Sequence, residues 1–281
     1  MESGWSRLPV TMNKSEKYNE ASFRELAWKA WFEGWLAQPR AKRSTGYHSI
    51  SDQDLKSTAD FIVSVLALSE TTDSVLDVGC DSAMVSRFVA PQCLSFVGAD
   101  FIFGLLADVD WGSIKTASGI SATCVAADGC KLPFSSGTFS KAYCSGVIQT
   151  LPSRNAGQKM IEEMVRICRP GGTVLVAGVP DMRKRFRAKC EVWRRSGAMA
   201  RLKLLGSMAV PRHVKKYLRR WFKWIPTDSL VLLDYDLQQL KQRFESAGYM
   251  CKTLDYPADY WSRDFRMTRS NLVIHVPLET A

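Results

Sequence analysis

Residues 74–83 constrain the fold of this chain more than any other stretch. Residues 75–78 are apolar except for Asp77, which is the pattern of a short buried strand. Gly79 and other small residues follow at once, and a helix-like run begins at Met84. A strand that passes through a tight turn into a helix predicts a parallel α/β sheet. In such a sheet the turn presents backbone N–H groups and the positive end of a helix to a ligand.

Two later strand-like runs also end at an aspartate. Residues 94–99 precede Asp100, and residues 122–127 precede Asp128 and Gly129. Asp100 stands at the spacing from the first turn at which an acidic residue accepts hydrogen bonds from both hydroxyls of a ribose. A carboxylate after the third strand can accept from an exocyclic amine such as that of adenine. Three strands that each end in an aspartate therefore predict a nucleoside-shaped site.

These motifs together resemble the class I, seven-strand S-adenosylmethionine-dependent methyltransferases. The likeness is strongest to their small-molecule branch, which includes the ubiquinone and menaquinone (type 11) methyltransferases. The residues that carry it are Val75-Leu76-Asp77-Val78-Gly79-Cys80, Asp100, Asp128 with Leu132-Pro133-Phe134, and Arg169-Pro170-Gly171-Gly172-Thr173. The likeness covers residues 51–179 and 234–277. Each motif alone is a weak signal, but the motifs together in this order are a strong one.

The resemblance implies an α/β fold, with a Rossmann-like seven-stranded sheet that has a parallel core and a C-terminal antiparallel hairpin. Residues 51–281 are then the methyltransferase domain. Outside the likeness, we expect residues 1–50 to form a helical N-terminal extension, as a packing helix or a lid, and residues 182–230 to form a basic helical insertion after the fifth strand, on the substrate side. The implied cofactor is S-adenosyl-L-methionine. Its expected contacts are Asp77, Gly79, Cys80, Asp81, Asp100, Phe101, Asp128, Gly129, Ser145 and Gly146.

The turn departs from the family pattern, because Asp81 and Ala83 occupy places where the family usually has glycine. Aspartate tolerates a left-handed backbone better than most residues, and alanine has the smallest side chain with a Cβ. We therefore expect the turn to survive, and a non-catalytic scaffold with weakened cofactor binding stays open as an alternative. A nicotinamide-dependent dehydrogenase is disfavoured, because its G-x-G-x-x-G turn would need glycines where Asp81 and Met84 stand.

Basic charge is concentrated in one segment of the chain. The net charge is +10, yet residues 181–224 contain fifteen Lys or Arg and two acids, so the rest is mildly acidic. Basic residues that alternate with Trp, Phe and Leu are typical of a helix on an anionic membrane. The same pattern is also found where a chain binds nucleic-acid phosphates or a phosphorylated substrate. It is equally compatible with a helix face that is simply exposed to solvent. An RNA substrate is less favoured, because the Asn/Asp-Pro-Pro-aromatic motif with which many relatives grip base amines is missing.

The cysteine pattern bears on compartment and metal binding. Eight cysteines are scattered without a C-x-x-C pair, which is typical of thiols in a reduced compartment and predicts neither a disulfide framework nor a metal site. We see no signal peptide and no apolar run long enough to span a membrane. The sequence therefore predicts a cytoplasmic protein that can lie at a membrane surface through residues 182–224.

The acceptor is the least determined part of the sequence interpretation. We expect O-methylation of a small molecule that is sugar-like, polyketide-like or lipid-linked, with RNA methylation as the alternative. A hydroxyl must lose its proton as the new bond forms, so a base is needed. His48 and Asp181 are the candidate bases, and Gln149 is a candidate orienting group after the fourth strand, together with Tyr143. His275 is expected to be structural.

Overall fold

A computed structural model describes residues 50–195 and 232–278 of the chain. The N-terminal extension, His48 and residues 196–231 of the basic insertion lie outside the described residues. The helices are α1 Asp52–Leu66, α2 Ser86–Val89, α3 Phe103–Leu106, α4 Arg154–Ile167, α5 Met182–Arg195, α6 Leu237–Ser246 and α7 Arg263–Thr268. The strands are β1 Ser74–Val78, β2 Ser95–Asp100, β3 Thr123–Ala126, β4 Phe139–Ser145, β5 Cys168–Pro180, β6 Met250–Leu254 and β7 Arg269–His275.

The strands form one seven-stranded sheet in the order β3-β2-β1-β4-β5-β7-β6. Strands β1 to β5 pair in parallel, whereas β7 runs antiparallel to both β5 and β6. This arrangement confirms the predicted Rossmann-like sheet with its C-terminal antiparallel hairpin. Because β1 to β4 are parallel, their carboxyl ends lie at one edge of the sheet.

Both faces of the sheet are buried, and β5 shows how one strand serves both. Val174 and Val176 pack into one apolar cluster with helix α4, and the alternate residues Leu175 and Ala177 pack into another with helix α1. Successive side chains of a strand point to opposite faces, so a nearly continuous apolar run is what a sheet covered on both sides requires. This packing fixes the strand ends that carry the site.

The helix after the first turn is shorter than its sequence suggests. The helix-like run was expected from Met84, but α2 covers only Ser86–Val89 and continues as a 3₁₀ turn over Ala90–Gln92. The helix therefore begins two residues later than expected and ends at Val89 as expected; Pro91 has no N–H to donate, which favours a turn over a longer α-helix beyond that point. The chain therefore turns quickly into β2, which keeps the first two strands in register from Ser74 opposite Ser95 onward.

Candidate active site

The turn after β1 is held tightly against β2. The N–H groups of Gly79 and Cys80 both donate to the carbonyl of Ala99, over 2.7 and 3.2 Å. Gly79 has a φ of 79°, and a Cβ at this position would lie 2.5 Å from Cγ2 of Val147. Residue 79 must therefore be glycine both for its backbone conformation and for the space beside Val147.

Asp81 and Ala83 both adopt the left-handed conformation that the family pattern assigns to glycine. Their φ angles are 52° and 57°. Such backbones cost about 1–3 kcal/mol each for residues other than glycine. Local hydrogen bonds offset part of this cost: the Asp81 carboxylate accepts from the N–H of Ser82 at 2.6 Å, and the N–H of Ala83 donates to the carbonyl of Cys80 at 3.0 Å. The turn therefore keeps its shape without the two glycines.

Asp100 joins the end of β2 to this turn. Its Oδ2 accepts from the N–H of Asp81 at 2.9 Å, and its Oδ1 accepts from the N–H of Ile102 at 2.8 Å. The side chain is largely buried, and this burial raises the pKa of Asp100, against backbone N–H bonds from Ile102, Asp81 and Phe101 that lower it. Each carboxylate oxygen has two lone pairs, so both retain the capacity to accept from a hydroxyl.

Asp128 and Phe101 lie at the same edge as Asp100. Strand pairing places Asp100 beside Ala126, and the N–H of Ala127 donates to the carbonyl of Asp100 at 2.9 Å. Asp128 follows directly and is exposed, with its Oδ1 accepting from the N–H of Cys130 at 2.8 Å. The Phe101 ring is 54% exposed. An aromatic surface and two carboxylates are thus grouped at adjacent strand ends.

Gly129, next to Asp128, lies close to the core. A Cβ there would lie 3.1 Å from Cγ and Sδ of Met160, and 3.2 Å from Cγ1 of Val78. A larger residue would have to push this loop away from the sheet. The glycine therefore keeps the third strand end, with its carboxylate, near the end of β1.

Asp77 is placed differently from Asp100 and Asp128. Its carboxylate is buried beneath the turn, where Oδ2 accepts from Oγ of Ser86 at 2.6 Å and from the hydroxyl of Tyr143 at 2.8 Å. Burial raises the pKa of Asp77 to about 7; the bonds from Ser86 and Tyr143 lower it, and the charges of Asp100 and Asp81 raise it. Asp77 thereby ties β1 to α2 and β4. Direct contact between Asp77 and the cofactor stays a prediction.

Gln149 is held in place at the end of β4. Its amide donates to the carbonyl of Gly146 at 3.0 Å, and its Oε1 accepts from Nη1 of Arg269 at 2.6 Å. Gly146 has a φ of 70° and follows Ser145, the partly exposed last residue of the strand. Tyr143, the other candidate orienting group, is fully buried with its hydroxyl on Asp77. Gln149 therefore stabilises the backbone that follows β4 through its hydrogen bond to Gly146.

Arg269 is the residue of this site that the sequence does not reveal. Its guanidinium also donates to the carbonyl of Gly178 at 3.0 Å and lies 4.1 Å above the ring centre of Phe265. It thereby links the ends of β4, β5 and β7. No motif marks it, and it lies 120 residues from Gln149 in the chain. Only the pairing of β7 with β5, which sets Arg269 opposite Pro180, brings the two together.

We expect Arg269→Met to destabilise the fold by about 1.5 kcal/mol, because the buried Oε1 of Gln149 would lose its charged donor. Urea unfolding measures this change. The double variant Arg269→Met with Gln149→Leu should recover part of the loss, because it removes the unsatisfied acceptor as well. Equal losses in the single and double variants would show that Gln149 does not depend on Arg269.

Asp181 lies between the last residue of β5 and the first residue of α5. Its Oδ1 accepts from the N–H of Arg183 at 2.8 Å, as a helix-capping carboxylate does. It lies at the same sheet edge as Gln149. The role of Asp181 as a base stays a prediction, as does that of His48, which lies outside the described residues.

His275 pairs with Thr173 near the opposite edge, far from the strand ends described above. Among residues 50–195 and 232–278, no group of three side chains could hold a metal ion.

Comparisons with known proteins agree with this architecture. Residues 76–176, about a third of the chain, match the family model described as "Methyltransferase domain" (type 11). A search of curated proteins finds no match. The matched segment contains the turn, Asp100, Asp128 and Gln149.

Three solved structures show the same fold at low sequence identity. A chain from the complex of the Haloferax volcanii Trm112 methyltransferase activator is 16% identical, with 90% of this chain and 98% of that one covered and a TM-score of 0.54. Phosphoethanolamine N-methyltransferase 1 of Haemonchus contortus is 15% identical, with 93% and 51% covered and a TM-score of 0.58. Magnesium protoporphyrin IX methyltransferase of Synechocystis PCC 6803 is 12% identical, with 94% and 100% covered and a TM-score of 0.50. This chain thus spans about half the length of the nematode protein.

The seven-stranded sheet with its strand-end site has the architecture of the class I methyltransferases. The family match adds a more particular indication: residues 76–176 match the type 11 methyltransferase domain, which indicates an S-adenosylmethionine-dependent methyltransferase.

The described residues fit the cofactor S-adenosylmethionine. Asp100 can accept from ribose hydroxyls, exposed Phe101 offers an apolar surface, and exposed Asp128 can accept from an amine. Asp81 adds an acidic group near Asp100, because its backbone N–H donates to Oδ2 of Asp100 at 2.9 Å. A grouping of carboxylates favours a ligand that carries a sulfonium and an ammonium group.

Proposed function

We propose that this protein methylates a small-molecule acceptor, and that the acceptor atom is a hydroxyl oxygen of a sugar-like, polyketide-like or lipid-linked compound. The observation that carries the proposal is the composition of one sheet edge. Asp100 and Asp128 lie at the ends of β2 and β3, and Gln149, Arg269 and Asp181 lie at the ends of β4, β7 and β5. The edge therefore offers adenosine-binding groups on one side and polar acceptor-side groups on the other.

Two structural neighbours support a small acceptor. One is named for phosphoethanolamine and the other for magnesium protoporphyrin IX, and both names describe small molecules. The two acceptors differ widely in size and chemistry, so the fold alone does not choose between them. The choice must come from residues on the acceptor side of this chain.

The proposed roles follow from the contacts. Asp100, Phe101 and Asp128 hold the adenosine, and the turn from Gly79 to Ala83 keeps Asp100 in place through the N–H of Asp81. The bound cofactor supplies an electrophilic methyl group. The protein's main contribution is then to hold the acceptor in line with that group at near-attack distance.

Gln149 and Asp181 have proposed roles on the acceptor side. Gln149 fixes the carbonyl of Gly146, and through it the backbone that borders the acceptor. Asp181 has one carboxylate oxygen engaged by the N–H of Arg183, and we propose that the other receives the acceptor proton unless His48 does so. Methyl transfer to a hydroxyl needs such a group, whereas transfer to an amine needs little acid or base help.

The test is transfer of labelled methyl from S-adenosylmethionine into fractionated cell extract. We expect label in the small-molecule or lipid fraction with the natural chain, and far less at the same cofactor concentration with Asp100→Ala. Asp60→Ala is the matched control, because Asp60 is an exposed partner of Lys56 on α1, and this variant should label as the natural chain does. Label in RNA or protein would contradict the proposed acceptor class.

A further inference from the structure

Helix α5 carries an exposed apolar row that the cofactor site does not use. Met182, Phe186 and Trp193 are 46%, 60% and 37% exposed. They are spaced by four and seven residues, so they lie along one side of the helix. Large apolar side chains aligned in this way on a helix surface are typical of an interaction surface.

Basic residues border this row on both sides. Arg183, Arg187 and Arg194 repeat the same spacing one residue further along, and all three are exposed. Lys189 is also exposed and lies on the other side of the apolar row. Arg183 pairs with the Asp236 carboxylate at 3.4 Å, and its side chain is still 60% exposed. The outer face of α5 therefore has an apolar centre and cationic margins.

The inner side of α5 fixes this face in position. Nζ of Lys184 lies 2.7 Å from Oδ1 of Asp255 and donates to the carbonyl of Arg269 at 2.8 Å. Arg185 pairs with Asp234. Lys184 and Arg185 thus attach the helix to the fold, while Arg183, Arg187, Lys189 and Arg194 are exposed.

We propose that the outer face of α5 binds an anionic membrane surface. Helices that lie in the membrane interface combine an apolar row with Lys and Arg beside it, which is the composition seen here. The charge of the margins is complementary to anionic lipid headgroups. Met182 favours lipid over nucleic acid, because a methionine side chain cannot stack on bases, whereas the aromatic Phe186 suits either surface. In the described parts of the chain, every helix is too short or too polar to span a bilayer.

The place of α5 in the fold connects this surface to the acceptor. The helix begins at Met182, one residue beyond Asp181 and so close to the carboxyl end of β5, the edge that also carries Asp100 and Gln149. Attachment through α5 therefore brings the acceptor side of the sheet near the lipid surface. Provided the proposed methyltransferase function holds, this favours a lipid or lipid-linked acceptor over a freely soluble one.

Sedimentation of the full chain with lipid vesicles tests the proposal. Vesicles of phosphatidylcholine alone should bind weakly, and vesicles that also contain phosphatidylserine should bind strongly. Phe186→Ser should weaken binding to the anionic vesicles about tenfold, and Arg187→Gln about fivefold. The controls are Met250→Ser and Lys252→Gln, exposed positions on β6 that should leave binding unchanged.

Two results would overturn the proposal: binding that does not depend on anionic lipid, or an equal loss for Phe186→Ser and Met250→Ser. Competition by RNA that removes the chain from vesicles, with tighter RNA binding, would assign the surface to nucleic acid instead. Calorimetry with S-adenosylmethionine on the same samples separates this proposal from the catalytic one. A chain that binds cofactor but not vesicles refutes only the membrane surface.

Discussion

Replacement of Asp100 by alanine is expected to weaken S-adenosylmethionine binding by about 10- to 150-fold, which corresponds to about 1.5–3 kcal/mol of charge-assisted hydrogen bonding. Asp100 lies at the end of β2, with both carboxylate oxygens fixed by backbone N–H groups of Asp81 and Ile102. This anchoring orients the carboxylate before the ligand arrives. Titration calorimetry with the natural chain and the variant measures the difference.

The same substitution also removes a support of the turn, so the measurement needs a second readout. Asp100→Asn keeps one oxygen acceptor, and urea unfolding of both variants reports how much the turn is loosened. A ribose contact also predicts that S-adenosylhomocysteine loses affinity by the same factor, because both ligands contain the same adenosine. Unchanged affinity in Asp100→Ala would mean that the adenosine binds elsewhere. Absence of binding to the natural chain would favour the scaffold alternative.

Much of the cofactor side could be predicted because its signals are local. The apolar run before Gly79 predicts β1, and the aspartates that end later strands identify the carboxyl edge of the sheet. Asp81 and Ala83 are a second case in which residues within one turn are enough to predict its structure. Their small or turn-tolerant side chains predict that the turn survives, and their φ angles of 52° and 57° confirm it.

The remaining contacts depend on residues that are distant in sequence. The direction of the Asp77 side chain depends on Tyr143, which lies 66 residues away, and the fixed amide of Gln149 depends on Arg269. Trp111 is a third case: its ring lies over Gly98, where a Cβ would come within 2.5 Å of it, and its N–H donates to the carbonyl of Leu106. No period or motif marks such pairs, because the sheet order alone brings them together.

The buried carboxyl of Asp77 leads to the largest expected effect on stability. Burial raises its pKa in the folded protein to about 7, whereas an unfolded aspartate titrates near its ordinary value of 3.8. Between these values the folded state binds more protons than the unfolded state. The free energy of unfolding must therefore fall as pH rises through this window, by up to about 4 kcal/mol from this group, and then level off above its upper end.

Asp77→Asn should remove this pH dependence, because an amide does not titrate and its oxygen can still accept from Ser86 and Tyr143. Relative to the natural chain, the variant should therefore gain stability progressively from about pH 4 to about pH 7. Urea unfolding at a series of pH values measures the two curves. Asp100 is present in both proteins, so the difference between the curves reports mainly Asp77.

Tyr143→Phe provides the opposite change at the same carboxyl. The Tyr143 hydroxyl lowers the pKa of Asp77 by donating to Oδ2 at 2.8 Å, so its removal should raise that pKa further. The fall in stability should then extend to higher pH in Tyr143→Phe, whereas it disappears in Asp77→Asn. Parallel curves for all three proteins would show that the carboxyl beneath the turn is ionised throughout the range, and that the turn rests on a permanent buried charge.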